Sequence, residues 1–272
     1  MLTCLRQFIN DTLAEARAPR ELPPKGAFTP EQAGSLGLAL FVTRNTNDIT
    51  FFTLVDGSYA WKNIVDAASN VVSSSDKRSF LKKLHTIVYD SVIGASTLQM
   101  NDACGAWEVT TIATDEGWGP TLYDAMLSWA KSNGETPWLV PDRSSVLSGA
   151  EKVWVHYASE LGDEVHHEPV NKKCQSDDHK KRAISKNIPD ALNMRYKTFW
   201  NDGHQQVMTN ANALRTRIFF TVRKMVPNFS NEQLHDFLSK TLNTNNFAFF
   251  ADKYVPAKNK ENSAKQKSKK TR

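Results

Sequence analysis

Residues 107–130 of this chain read Trp107-Glu-Val-Thr-Thr-Ile-Ala-Thr-Asp-Glu-Gly-Trp-Gly-Pro-Thr-Leu-Tyr-Asp-Ala-Met-Leu-Ser-Trp-Ala130. The β-branched and apolar residues as far as Thr114 predict a strand, and the apolar spacing from Leu122 predicts a helix. Between them, two glycines and Pro120 predict a turn that leads directly into that helix. Such a turn points backbone amides at a helix N-terminus, where a phosphate or another anion can be held. The stretch therefore predicts an anion-binding strand–turn–helix unit.

The residues on both sides of this unit extend the same pattern. Ser91–Leu98 has the composition of a strand, Pro137–Val140 that of a short strand, and Ser148 opens a helix through a capping-box sequence. Between residues 90 and 162 the order is strand, strand, glycine turn, helix, strand, helix. This order predicts an α/β fold.

The rest of the chain divides into further elements. An N-terminal helix is predicted over 2–17, followed by a proline-rich break at Pro19–Pro24. A hairpin is predicted from Leu36–Val42 and Ile49–Val55, and a helix over Lys77–Tyr89. Further along, a polar loop is predicted over Gly162–Asn187, and two helices over Gln205–Met225 and Asn231–Leu242. The predicted organisation is an N-terminal helix and linker over residues 1–25, an α/β domain over 26–165, a polar loop with a helical extension over 166–256, and a disordered basic tail over 257–272.

Composition limits the class of protein. The chain has 272 residues, of which 40% are hydrophobic and 23% charged, as is usual for a soluble globular protein. No apolar run approaches the length of a membrane span, and no signal core follows the N-terminus, so neither a membrane partner nor export is predicted. The cysteines Cys4, Cys104 and Cys174 are odd in number and scattered. No disulfide framework and a reducing compartment, the cytoplasm, are predicted from them.

The net charge of +5 is concentrated at the C-terminus. Residues 257–272 hold six lysines and Arg272 against one acid, Glu261, so the remainder of the chain is close to neutral. A tail of this kind can neutralise nucleic-acid phosphates or bind an acidic partner, and it can equally serve only to keep the protein soluble. No aromatic residue lies within it, so base stacking by the tail is not predicted.

The span from Val92 to Gly162 resembles the GCN5-related N-acetyltransferases. In that family a central strand leads into a glycine loop whose amides hold the pyrophosphate of coenzyme A, and a helix, a strand splayed from the first and another helix follow. Thr114-Asp-Glu-Gly-Trp-Gly119 occupies the loop position here. More narrowly, Ala106–Val109, Gly117–Asp124, Pro141–Arg143 and Val153–Tyr157 resemble a divergent branch found among bacteriophage proteins, which implies the host cytoplasm or the virion as the location.

The resemblance implies a mixed central sheet flanked by helices and a direct transfer of acetyl from acetyl-CoA to an amine. It places the base on the central strand, at Glu108, and the acid on the later helix, at Tyr157. It implies that strand residues 108–112 pair with the pantetheine arm and that loop residues 114–121 hold the pyrophosphate. The implied acetyl-CoA-binding residues are Thr111, Ile112, Thr114, Asp115, Glu116, Gly117, Trp118, Gly119 and Thr121.

The sequence also permits other interpretations. A protein that keeps the fold without the activity could act as a structural or binding component, in a phage particle or on nucleic acid. Arg143 could meet a phosphate or an acidic acceptor, although such residues more often fix a loop. His166, His167, Cys174 and His179 match no established metal-binding spacing, so no metal is predicted. The third glycine of the dinucleotide-binding motif Gly-x-Gly-x-x-Gly is also missing, because Leu122 stands in its place.

Overall fold

The structure is a computed structural model that describes residues 30–45, 48–71, 74–115, 117–144, 146, 148–159, 164–175, 190–200 and 204–242. The strands are β1 Leu38–Arg44, β2 Ile49–Asp56, β3 Val92–Asn101, β4 Ala106–Thr114, β5 Leu139–Pro141, β6 Val165–Pro169 and β7 Met194–Thr198. The α-helices are α1 Pro30–Ser35, α2 Gly57–Ser69, α3 Ser74–Asp90, α4 Gly119–Ser132, α5 Ser148–Ser159, α6 Gln205–Met225 and α7 Asn231–Leu242, and a 3-10 turn spans Ala191–Asn193.

The strands form one mixed sheet, which confirms the predicted α/β class. Its order is β1-β2-β3-β4-β5-β7-β6. Among the strands of the described residues, only the β4–β5 pair is parallel, because α4 carries the chain back between these two strands, whereas the other neighbours are antiparallel. The parallel pair therefore lies in the middle of the sheet, next to the predicted anion-binding unit.

Helices cover both faces of the sheet. Successive strand residues point to opposite faces, and β1 shows this directly. Leu38 and Leu40 share a core cluster with residues of α4 and α5, whereas Ala39 and Phe41 share another with residues of α2, α3, α6 and α7. The helices predicted as a C-terminal extension thus pack directly on the sheet.

Most predicted elements are confirmed to within a few residues. The hairpin, the helix at 77–89, the strands on both sides of residue 100 and the two C-terminal helices are all present. Gly134 lies just past the end of α4 with a φ of +82°, a left-handed conformation that is common for glycine at this position. The predicted segments at 2–17, 19–24 and 257–272 lie outside the described residues.

The predicted loop at 162–187 is wrong in its first part, which forms β6. Val165-His-His-Glu-Pro169 carries no apolar alternation that would predict a strand, but it pairs along its whole length with β7. The pairing partner is far along the chain and contributes the buried residues Tyr196 and Thr198. The domain boundary predicted between residues 165 and 166 therefore falls inside a strand of the sheet.

The expectation of unpaired cysteines is also wrong. Cys104, in the turn between β3 and β4, forms a disulfide with Cys174, which follows β6. Both are buried in a small cluster with Ala106, Trp138 and Val140. The two cysteines are 70 residues apart in sequence, so their spacing did not indicate the contact. The cytoplasmic location predicted from them stays a prediction.

Candidate functional site

The turn between β4 and α4 is fixed at both of its ends by backbone hydrogen bonds. The amide of Asp115 donates to the carbonyl oxygen of Ile93 at 2.8 Å, and the amide of Trp118 donates to the carbonyl of Asp115 at 3.2 Å. Trp118 itself is buried in the main core cluster. The backbone amides of Asp115 and Trp118, and the side chain of Trp118, thus hold the turn in place, although both residues are predicted to bind the anion. Glu116 lies outside the described residues.

The two glycines of this turn face open space. Gly117 has a φ of +88°, and a Cβ built there meets no heavy atom within 4 Å. A Cβ on Gly119 meets only the Thr114 hydroxyl oxygen, at 3.6 Å. Neither glycine is therefore required by packing against a neighbour. Because the α4 N-terminus begins at Gly119, this space is the place where an anion could approach the helix.

The N-terminus of α4 has polar groups that its own residues do not satisfy. Trp118 precedes the helix and provides no side-chain cap, and the first amides of any helix lack partners within it. The hydroxyl of Thr121, in the first turn, is buried and has no hydrogen-bond partner among the described residues. Thr121 is 1% exposed. A buried hydroxyl of this kind normally has a partner, so Thr121 is a donor at the start of α4 that the described residues leave unused.

Strand β4 leaves β5 halfway along its length. Only Trp107, Glu108 and Val109 pair with β5, opposite Leu139–Pro141. The β3–β4 register shifts next to this point, between Thr97 and Leu98, which leaves Thr110 as the extra residue of a bulge. Beyond it, Thr111–Thr114 pair with β3 but with no strand on the β5 side in the described part of the chain. The sheet thus opens toward the glycine turn, and Thr111 on this stretch is exposed.

Glu108 lies where the two strands separate, and both of its oxygens accept hydrogen bonds. One oxygen accepts from the backbone amide of Arg143 at 2.6 Å, and the other from the side-chain amide of Asn101 at 2.7 Å. The carboxylate thus joins the end of β3 to the segment that follows β5. Its side chain is half-buried, and each oxygen retains a lone pair that can accept another bond.

Arg143 fixes the same segment. Its guanidinium donates to the carbonyl oxygens of Pro141 and Leu192 and to the Asn193 side chain. Burial lowers the pKa of Arg143 to about 10, although the nearby carboxylates of Glu108 and Asp142 act in the opposite direction. The arginine therefore has the loop-fixing role that sequence reasoning favoured over phosphate binding.

Tyr157 lies inside the core rather than at the opening of the sheet. It is 1% exposed, and its hydroxyl donates a short hydrogen bond to Asp124 of α4. Burial and the neighbouring carboxyl raise the pKa of Tyr157 well above its usual value. The phenol is thus a tie between α4 and α5, and it does not meet Glu108 in any hydrogen bond of the structure.

Asp124 is a buried acid next to the candidate site that the sequence pattern does not single out. It is 3% exposed, and burial raises its pKa to about 8 against the lowering effect of the Tyr157 hydroxyl. The available signal was a single acid in a helix otherwise rich in apolar residues. Helical spacing places Asp124 away from the Leu122–Met126 stripe, whereas in the structure residues 121–128 are all buried.

Comparison with known proteins identifies no relative: no protein family, no curated protein and no solved structure matches this chain. Within the described residues, no group of three or more His, Cys, Asp or Glu side chains is placed to hold a metal ion. None of the helices in the described part of the chain combines the length and the hydropathy that a membrane span requires.

Proposed function

We propose that this protein is an N-acetyltransferase of the GCN5-related kind, which binds acetyl-CoA at the opening between β4 and β5 and acetylates an amine. The observation that carries the proposal is the combination of this opening with the uncapped α4 N-terminus. Strand β4 separates from β5 after Val109, and its free stretch leads into Gly117 and Gly119.

The α4 N-terminus suits the pyrophosphate. The helix dipole and the first-turn amides favour an anion there, and the space beside Gly117 and Gly119 allows it to approach the backbone. The unpartnered hydroxyl of Thr121 supplies a further donor. The charged residue described in the turn, Asp115, acts against an anion, so affinity must come from the backbone amides and this hydroxyl.

The free stretch of β4 suits the pantetheine arm. That arm contains two amide groups, and an extended chain with amides can add to an unpaired strand edge through backbone hydrogen bonds. Thr110–Thr114 offer such an edge on the side where β5 has ended. The arm would then run from the pyrophosphate at α4 toward Glu108.

When bound, acetyl-CoA supplies an activated acyl carbon. The attacking amine must be neutral, and Glu108 is a carboxylate on the paired stretch of β4, one residue before the two strands separate. Its bonds to Arg143 and Asn101 hold it in position, and its remaining lone pairs can accept a proton from the amine directly or through water. As the new C–N bond forms and the C–S bond breaks, the proton that the nitrogen loses passes to the thiolate, so that the products are the amide and the free thiol of coenzyme A. Tyr157 is enclosed by the core, so we assign it the role of positioning α5 against α4.

Calorimetric titration with acetyl-CoA tests the proposal, with Gly119→Glu and Gly149→Glu as matched variants. Both glycines lie in the first turn of a helix and have room for a side chain. We expect micromolar binding by the wild type and by Gly149→Glu. Gly119→Glu should lose it at an unchanged melting temperature, because a carboxylate would occupy the anion site. Absence of wild-type binding at millimolar acetyl-CoA would contradict the proposal.

A second function is favoured by the surroundings of Glu108 and Tyr157, the two residues to which the resemblance assigns the base and the acid. Both oxygens of Glu108 already accept hydrogen bonds, and Tyr157 is buried against Asp124. A protein that keeps the fold but acts as a binding or assembly component, in a phage particle or on nucleic acid, is consistent with both facts. Micromolar acetyl-CoA binding without acetyl transfer to any of a broad panel of amines would favour this function.

A further inference from the structure

Helix α6 is unusual in its charge. It carries Arg215, Arg217, Arg223 and Lys224 and no acidic residue over Gln205–Met225. These cations all lie in the second half of the helix. Its apolar face, which includes Val207, Leu214 and Ile218, is buried against the sheet and α2. The charge therefore belongs to the outer surface of the molecule.

Three of the outward residues form one stripe, which we call the Arg217–Lys224 stripe: Arg217, Phe220 and Lys224. Their spacing of three and four residues places them on the same side of the helix. Phe220 is 65% exposed, the highest value among the large hydrophobic side chains described. The ring of Phe220 packs edge-to-face against that of Phe219, with 5.5 Å between the ring centroids, and most of its surface remains open to solvent between the two cations.

The cations of this stripe are not neutralised within the described part of the chain. Lys224 takes part in no hydrogen bond, ion pair or ring contact among the described residues, and no carboxylate there pairs with Arg217. The guanidinium of Arg217 lies over the Trp61 ring of α2, 5.6 Å from its centroid. This contact fixes Arg217 in position while leaving its charge uncompensated.

We propose that the Arg217–Lys224 stripe binds single-stranded nucleic acid. The two cations would neutralise phosphates, and the ring of Phe220 between them would stack on a base. Seven residues of helix separate the cations by about 10 Å, which leaves room for a base on the ring between two backbone contacts. The proposal is independent of acetyl-CoA binding, since α6 contributes no residue to the opening between β4 and β5.

Other anionic partners fit the stripe less well. A membrane surface would require several apolar side chains beside the cations, whereas the stripe presents one and the other apolar residues of α6 are buried. An acidic peptide offers carboxylates but gives the exposed ring nothing to stack on. Helix α7, which contacts α6 through Phe219 and His235, continues in sequence toward the basic residues 257–272, which add charge without aromatic rings.

Fluorescence anisotropy with labelled oligo(dT) and the full chain tests the proposal. We expect Phe220→Ala and Phe220→Leu to weaken binding by about 5- to 150-fold, because stacking on one base contributes about 1–3 kcal/mol. Phe220→Tyr should bind like the wild type. Arg217→Ala/Lys224→Ala should lower the slope of log affinity against log salt by about 1.4. Lys152→Ala/Lys172→Ala makes the same change in net charge at exposed lysines elsewhere and should leave binding close to that of the wild type.

Each contrary result would overturn the proposal. If the wild type does not bind oligo(dT), or if the Arg217 and Phe220 variants bind like the wild type at unchanged melting temperature, the stripe is not the interface and any binding arises elsewhere, for instance in the basic tail. If Phe220→Leu binds like the wild type, the ring does not stack. If polyglutamate competes as effectively as unlabelled oligo(dT), the stripe is a surface for acidic proteins.

Discussion

The two halves of strand β4 differ in how firmly the surrounding structure holds them. The first half pairs with β5, lies beside the Cys104–Cys174 disulfide and is linked through Glu108 to β3 and to Arg143. The second half has no strand on that side among the described residues and ends in a turn whose glycines face open space. We infer that the second half of β4 can stay apart from β5 because hydrogen bonds and the disulfide hold the first half in place. The first half with these bonds is called the tied end, and the second half with the glycine turn is called the open end. The following predictions test this difference.

Removal of the disulfide should have the largest effect on stability. The bond closes a segment of 70 residues, for which the loop-entropy relation gives about 4 kcal/mol. Cys104→Ser/Cys174→Ser should therefore lower the free energy of unfolding by about that amount in urea titration, and a reductant should have the same effect on the wild type. Cys4→Ser, which leaves the bond intact, is the control. Equal stability of the wild type with and without reductant would show that the tied end does not depend on this bond.

Asp124 should give the next largest effect, and it depends on pH. Helix α4 borders the open end, and the hydrogen bond between Asp124 and Tyr157 joins it to α5. Burial raises the pKa of Asp124 to about 8, whereas in the unfolded chain it is about 4. Between these values the folded state keeps a proton that the unfolded state has released. The contribution to stability is therefore complete below about pH 4, falls as pH rises, and levels off above about pH 8.

Asp124→Asn isolates this contribution, because asparagine is neutral at every pH and can still accept from the Tyr157 hydroxyl. Relative to the variant, the wild type should lose up to about 3 kcal/mol of unfolding free energy between pH 5 and pH 7, since one proton corresponds to about 1.4 kcal/mol per pH unit. Urea titrations at the two pH values measure the difference. Parallel pH profiles of the two proteins would mean that Asp124 is ionised in the fold.

Arg143→Ala should weaken the tied end by about 2 kcal/mol, because it removes charged donors from the carbonyl oxygens of Pro141 and Leu192. Arg195→Ala is the matched control. Arg195 pairs with Glu168, and its guanidinium lies 4.4 Å from the centroid of the Trp138 ring, but both partners of the ion pair are partly exposed, so its loss should cost only about 1 kcal/mol. Thermal unfolding of both variants gives the comparison. Equal losses would mean that Arg143 has no special part in closing this end.

The sequence predicts the strand and helices around the opening between β4 and β5, but not the long-range bonds that hold them together. Hydrophobic periodicity and glycine positions identify β4, α4, α6 and α7 because these signals are local. The disulfide, the Glu108–Arg143 bond and the Asp124–Tyr157 bond join residues that lie 70, 35 and 33 positions apart. Such contacts depend on how the elements pack, which no local pattern encodes. Strand β6 was missed for the same reason, since its strand character comes from pairing with β7 and not from its own residues.

The smallest expected effect is that of an alanine substitution at the glycine on either side of α4, Gly117 or Gly134. Gly117 and Gly134 have φ values of +88° and +82°, and a Cβ at either meets no atom within 4 Å. An alanine at either position should therefore cost about 1 kcal/mol of stability through backbone strain alone. If the turn before α4 holds the pyrophosphate, only Gly117→Ala should also weaken acetyl-CoA binding, because only that strain displaces amides at the open end. Equal affinities of the two variants by calorimetry would place the anion elsewhere, and unequal melting temperatures would show that one of the glycines is required for more than its conformation.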